Sequence, residues 1–160
     1  MSILPRTSRR LRPTQPTEQY IAFRLRQEWF VLPLDAVQKV VPLGEISGDP
    51  TGRGIGLVRS EGRELVVVDV GHRIFRDPAP QSWEPEERYL LILAAGDNLA
   101  LPIDSRPVLR RLARAAFAPL PPTYAVLSPV RHVSARAVLA EDEPALFLLD
   151  ITQLLTLGTA

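Results

Sequence analysis

The feature that most constrains the fold is a series of short apolar segments separated by turn residues. Residues 20–25 alternate apolar and more polar side chains with a period of two, as a half-buried strand does. The polar pair Gln27 and Glu28 separates them from a second apolar segment, residues 29–32, which predicts a hairpin. The chain also contains 16 prolines, which interrupt helices and central strands. We therefore expect short strands joined by turns.

Three further hairpins show the same pattern, with apolar arms around a short polar turn. Their arms are residues 55–58 and 65–70, residues 89–93 and 99–103, and residues 135–139 and 145–150. Residues 34–38 predict one helical turn before a short strand at 39–41, and residues 151–157 a closing helix. The total of about ten short strands predicts an all-β barrel or sandwich with little helix.

Residues 106–117 fit two structures. Their arginines share the segment with Val108, Leu109 and Leu112, which is the pattern of an amphipathic helix. Prolines at 119, 121 and 122 end the segment.

The chain divides into a tail and one domain. Residues 1–18 are basic and poor in apolar side chains, so we expect a disordered tail. Residues 19–157 form the domain, and the glycine-rich stretch 44–54 is a loop. A proline-rich connection near 77–88 divides the domain into two parts.

Composition excludes several classes of protein. There is no cysteine, which removes disulfides and thiolate chemistry. The net charge of +1 argues against electrostatic capture of nucleic acid or membrane. The longest apolar run, residues 89–95, has a strand's length and could not cross a bilayer. We therefore expect a cytoplasmic protein without membrane insertion.

No catalytic, cofactor or metal motif is found. His72 and His132 lie far apart in the sequence and outside any ligand-spaced pair or triad context. The glycines of residues 52–56 lack the lysine and helix of a phosphate loop. We expect no enzyme, no cofactor and no metal.

Three strand-end carboxylates leave one enzymatic alternative open. Asp69, Asp104 and Asp150 each follow an apolar strand, and two of them sharing a proton would resemble an aspartic protease. The Asp-Thr/Ser-Gly signature of those enzymes is missing. Capping of a turn or helix start is the favoured role for each aspartate.

A second alternative is a small barrel that binds nucleic acid. It would use four arginines, which are Arg106, Arg110, Arg111 and Arg114. The four would have to share one face, ideally beside an aromatic side chain.

Five segments in chain order resemble the CheW family of coupling proteins, which bridge chemoreceptors to the CheA histidine kinase. They are LDAVQKV at 34–40, GIGLVR at 54–59, GRELVVVDV at 62–70, LPID at 101–104 and LLDITQLL at 148–155. The resemblance extends over most of the chain, from about residue 20 to residue 155.

The resemblance implies two five-stranded, SH3-like barrels packed on a shared core, with residues 106–112 as a strand. It implies that the kinase's regulatory domain pairs with one barrel, and that the coiled-coil tip of a receptor lies in a groove between the two. The partner contacts that it implies are Arg59, Leu57, Val58, Val37, Lys39 and Val40. An adaptor of this kind predicts exposed apolar side chains at strand edges.

The chain departs from the family pattern at several positions. Leu57 and Val66 replace a signature Asn and Pro, and Ser60 and Glu61 lengthen a turn. Lys39, the only lysine of the chain, replaces the family's Glu. A reversed charge at an interface changes partner choice more than fold, so a pilus-motility pathway fits as well as chemotaxis.

Overall fold

The computed structural model of the chain describes residues 16–44, 46–47, 55–75, 88–94, 98–123, 133–137, 142–150 and 152. Several predicted segments lie outside these residues. They are the tail up to residue 15, most of the loop at 44–54, the connection at 77–87 and nearly all of the closing helix at 151–157.

Short strands make up most of the described part of the chain. They are β1 (Thr17–Leu25), β2 (Glu28–Pro33), β3 (Val37–Pro42), β4 (Ile55–Ser60), β5 (Arg63–Val68), β6 (Tyr89–Leu93), β7 (Leu99–Ile103), β8 (Val108–Ala113), β9 (Phe117–Pro119), β10 (Val133–Ala137) and β11 (Leu146–Leu149). Helical structure there includes the six-residue helix α1 (Val70–Phe75), the 3-10 turns Leu34–Ala36 and Arg114–Ala116, and the isolated helical residues 122, 123 and 152.

The strands form two sheets. The first sheet has the order β8-β1-β2-β11-β10-β9, and the second has the order β3-β6-β7-β5-β4. Both sheets are antiparallel except for one parallel pair in each, β2 with β11 and β5 with β7. The parallel pair in the first sheet joins the N-terminal hairpin to the C-terminal one.

Three hydrophobic clusters show how the sheets pack. The shared core takes its buried side chains from both sheets and α1, and includes Phe23, Phe30, Leu91, Ile103 and Ile74. A second cluster, with Val58, Leu65 and Leu90, belongs to the second sheet alone. A third cluster, with Tyr20, Val31 and Leu146, belongs to the first sheet alone. Each sheet therefore encloses its own core and packs on the other, which confirms the two-barrel, all-β prediction.

The four predicted hairpins and the helical turn are confirmed, with small differences in bounds. The first turn lies at Arg26 and Gln27, one residue earlier than predicted, because Leu25 pairs with Glu28. Arg26 has a φ of 58°, the left-handed conformation that two-residue hairpin turns require. β1 is buried on both faces, since Ala22 packs in the core of the first sheet. The half-buried strand expected there is therefore wrong.

Residues 108–113 form a strand, as the family resemblance implied, and the amphipathic helix that their pattern suggests is wrong. β8 pairs with β1 along six residues. Only Leu112 of this strand is buried, so its mixture of apolar and basic side chains belongs to an exposed edge.

Candidate partner-binding surfaces

The predicted contact residue Arg59 lies on the outer face of the β4–β5 hairpin. In the ladder Leu57 lies opposite Val66 and Arg59 opposite Glu64, and directly opposed residues share one face of a sheet. Leu57 is half-buried, and the other three are exposed. These four residues form a surface that we name the Arg59 face.

The Arg59 guanidinium is available for contacts. Within the described ranges it makes no ion pair, although Glu64 lies opposite it in the ladder. The neighbouring Val58 points to the other side of β4 and is buried in the core of the second sheet. Val58 therefore packs β4 onto the core of the second sheet, whereas the side chains of Leu57 and Arg59 face outward.

The other predicted contact residues lie on β3, at the opposite end of the strand order from β4. Val37 and Val40 are partly buried against the shared core. Lys39 is exposed, and a bulge shifts the ladder between Val37 and Lys39. A bulge reorients the side chains beside it, so Lys39 faces solvent while the two valines pack inward.

An ion pair connects these two regions. The Lys39 Nζ donates to the Oε1 of Glu61, which lies in the turn between β4 and β5. Ser47 and Leu57 also form an isolated antiparallel β-bridge beside β4. Although β3 and β4 are the two outermost strands in the order of the second sheet, this ion pair links β3 to the turn that follows the Arg59 face. Sequence reasoning had placed Lys39 and Glu61 on separate motifs.

A second exposed surface lies on β8, at the edge of the first sheet. Val108 and Leu109 are 46% and 58% exposed. Beside Val108 is a depression lined by Ala22, Trp29 and Leu146. Because neighbouring side chains in a strand point to opposite faces, Val108 and Leu109 lie on the two faces of the same exposed strand, and we name this stretch of the sheet edge the β8 edge patch. It fulfils the prediction of exposed apolar side chains at a strand edge, although the sequence did not identify these two residues.

A buried ion cluster joins the two barrels and consists of Arg26, Asp69, Arg88 and Asp104. The Arg26 backbone N–H donates to Asp104 Oδ2 at 2.7 Å, and the Arg26 Nη1 lies 3.4 Å from the same oxygen. Arg88 Nε lies 3.6 Å from Asp104 Oδ1. Burial lowers the pKa of Arg88 to about 10, although Asp104 and Asp69 act in the opposite direction. The carboxylates thus offset the cost of burying the guanidiniums.

This cluster removes the basis of the aspartic-protease alternative. That alternative required two strand-end carboxylates to share a proton. Asp104 instead lies between the guanidiniums of Arg26 and Arg88, and Asp69 acts on Arg88 as a counter-charge. Both carboxylates thus serve as counter-charges to buried guanidiniums, which is a structural role.

The nucleic-acid alternative required four arginines on one face. Arg110 and Arg111 are neighbours in β8, and neighbouring side chains in a strand point to opposite faces. Arg111 reaches Thr17, and Arg114 pairs with Glu18 at 2.8 Å. The single arginine face is therefore not formed.

No helix in the described ranges is long and apolar enough to cross a membrane.

Comparison with known proteins identifies a family and similar solved structures. The family model for the CheW-like domain matches residues 19–158. The crystal structure of the scaffolding protein TtCheW from Thermoanaerobacter tengcongensis matches with a TM-score of 0.67 and 17% identity, over 86% of this chain and 87% of that chain. At this identity the structural match establishes the fold. No curated protein matches the chain.

Two barrels on a shared core, with apolar and charged side chains exposed on edge strands, define an all-β double-barrel domain. The chain belongs to the CheW-like domain family, because the family match covers most of its length. This family consists of non-enzymatic scaffold proteins, and the chain is accordingly a scaffold or adaptor of the chemotaxis type.

Proposed function

We propose that this protein couples a chemoreceptor-type receptor to a CheA-type histidine kinase in the cytoplasm, in chemotaxis or pilus motility. The observation that carries the proposal is the presence of two exposed surfaces on different barrels. The Arg59 face belongs to the second sheet and the β8 edge patch to the first. An adaptor needs two such surfaces, because each partner must bind without displacing the other.

The kinase's regulatory domain binds the Arg59 face together with the exposed part of β3. An exposed valine, Val66, and a half-buried leucine, Leu57, provide an apolar patch beside the Arg59 guanidinium, which makes no ion pair with any residue that the structure describes. In protein–protein interfaces, the residues that contribute most to binding often combine apolar side chains with an arginine. The exposed Lys39 extends the surface along β3.

The receptor tip binds the β8 edge patch. β8 begins soon after Asp104, which the ion cluster attaches to the β1–β2 turn. The Asp104 N–H also donates to the Arg24 carbonyl at 2.9 Å, and the Arg24 N–H to the Ser105 hydroxyl at 2.9 Å. The patch therefore lies close to the junction of the barrels, where a coiled-coil tip would contact both.

Titration of the purified protein with each partner tests the proposal. The partners are the regulatory domain of the CheA-type kinase and the cytoplasmic tip of a receptor from the same organism. We expect each to bind the wild-type protein. Arg59→Glu weakens kinase binding alone, and Leu109→Ala weakens receptor binding alone.

The two variants serve as controls for each other, since the side chains of Arg59 and Leu109 are both exposed and lie on different sheets. Loss of both activities in each variant would indicate a damaged fold and would be detected as a lowered melting temperature. Absence of binding to either partner by a folded wild-type protein would contradict the proposal.

A further inference from the structure

The ion pair between Lys39 and Glu61 lies at the border of the proposed kinase-binding surface. Lys39 belongs to β3, and Glu61 lies in the turn between β4 and β5. β3 and β4 stand at opposite ends of the strand order of the second sheet. The pair therefore crosses the open side of the second sheet. It involves the only lysine of the chain.

This pair contributes little to folding. The side chains of Lys39 and Glu61 are 45% and 65% exposed, and exposed ion pairs contribute little to stability because water and salt screen them. The β4–β5 hairpin is already held by a ladder of six residue pairs from Ile55 to Ser60. Both ends of the ion pair can therefore exchange partners at small cost.

The pair brings Lys39 to the turn that directly follows the strand of Arg59. Glu61 comes two residues after Arg59 in the chain and has a φ of 52° in the turn between β4 and β5. Lys39 is already committed to Glu61, whereas Arg59 makes no ion pair within the described ranges. If Glu61 turned away, Lys39 and Arg59 would face a partner together.

We propose that Glu61 is an internal competitor for an acidic group of the kinase's regulatory domain, which replaces it on Lys39 when the complex forms. The inference rests on the function proposed above and assigns the chemistry of the partner: a surface carrying at least one carboxylate, placed against Lys39 and Arg59. Glu61 neutralises Lys39 in the free protein and selects against partners that lack this carboxylate.

Substitution of Glu61 tests whether this residue competes with the kinase's regulatory domain for Lys39. Glu61→Gln should strengthen binding of the kinase's regulatory domain by about two- to fivefold, since surface ion pairs have energies of this order. Lys39→Gln should weaken it by a similar factor. In the Lys39→Gln background, Glu61→Gln should have no further effect, because the competitor acts only through Lys39.

A matched control uses Glu28→Gln, an exposed glutamate beside the hairpin turn of the first sheet. It should leave kinase binding unchanged, which shows that the gain does not arise from removing any negative charge. The gain of Glu61→Gln should also shrink when the salt concentration rises.

The outcomes separate the two proposals. Weaker or unchanged binding by Glu61→Gln, with wild-type binding present and Arg59→Glu impaired, would overturn this inference and leave the adaptor function standing. An equal gain in the Lys39→Gln background would also overturn it. If the kinase domain does not bind the wild-type protein, both proposals fail.

Discussion

The backbone N–H of Arg26 donates to Asp104 Oδ2 at 2.7 Å, which joins the β1–β2 turn of the first sheet to the end of β7 in the second. The Arg26 guanidinium approaches the same oxygen at 3.4 Å. A residue with a φ of 58° is thus held by a carboxylate from the other barrel. This contact sets the position of one barrel relative to the other, and with it the separation of the two proposed partner surfaces.

Asp104→Asn should destabilise the protein by about 3 kcal/mol, because it removes the negative charge that lies against the buried guanidiniums of both Arg26 and Arg88. The side chains of these three residues are each 10% exposed or less. Chemical denaturation measures the change. Asp35→Asn, at an exposed position in the 3-10 turn, should shift the unfolding free energy by less than about 0.5 kcal/mol. Equal effects of the two substitutions would contradict the role of the cluster.

Gly71→Ala should destabilise the protein by about 1–3 kcal/mol. A Cβ at Gly71 would lie 2.8 Å from the Arg26 Nη1, and the ion cluster prevents that side chain from moving away freely. Gly44→Ala is the matched control, since its nearest contact would be Val58 Cγ1 at 3.7 Å. Thermal unfolding of both variants checks the prediction, and a Gly71→Ala protein as stable as Gly44→Ala would contradict it.

Arg59→Glu should weaken kinase binding more than tenfold, or about 1.4 kcal/mol, while the melting temperature stays near the wild-type value. The reason is that the Arg59 side chain is exposed and makes no ion pair within the described ranges. Isothermal titration calorimetry gives the affinity. Arg24→Glu, which reverses an exposed arginine of the first sheet, should bind the kinase as the wild type does. Unchanged affinity in Arg59→Glu would remove Arg59 from the interface.

Leu109→Ala and Leu112→Ala form a pair on the same strand with opposite expected results. Leu109 is exposed, so its truncation should weaken receptor binding and change stability by less than about 0.5 kcal/mol. Leu112 is buried in the core of the first sheet, so its truncation should cost about 2–5 kcal/mol. Receptor binding that survives Leu109→Ala intact would place the receptor elsewhere.

The hairpins could be predicted from the sequence because each is encoded locally, by alternating side chains and a turn. The order of the strands could not be predicted in this way, since the pairing of β2 with β11 depends on residues more than a hundred positions apart. β8 was ambiguous for another reason. At an exposed edge the burial pattern of Val108, Leu109 and Leu112 has no period of two.

The sequence identified Asp104 as a strand-end carboxylate, but not its partners. Arg26 is 78 residues away in the chain, and nothing in the local pattern distinguishes it from the other arginines. The same holds for Lys39 and Glu61, which were recognised separately as departures from the family pattern. Their contact emerges only when the second sheet closes.

A coupling adaptor must hold its two partners at once, and a three-component binding experiment measures whether this protein does so. The kinase's regulatory domain, the receptor tip and this protein are mixed and analysed by size-exclusion chromatography with light scattering. We expect a complex that contains all three, and its loss when either Arg59→Glu or Leu109→Ala replaces the wild type. Mutually exclusive binding of the two partners would contradict the proposed function, because it would place both partners on one surface.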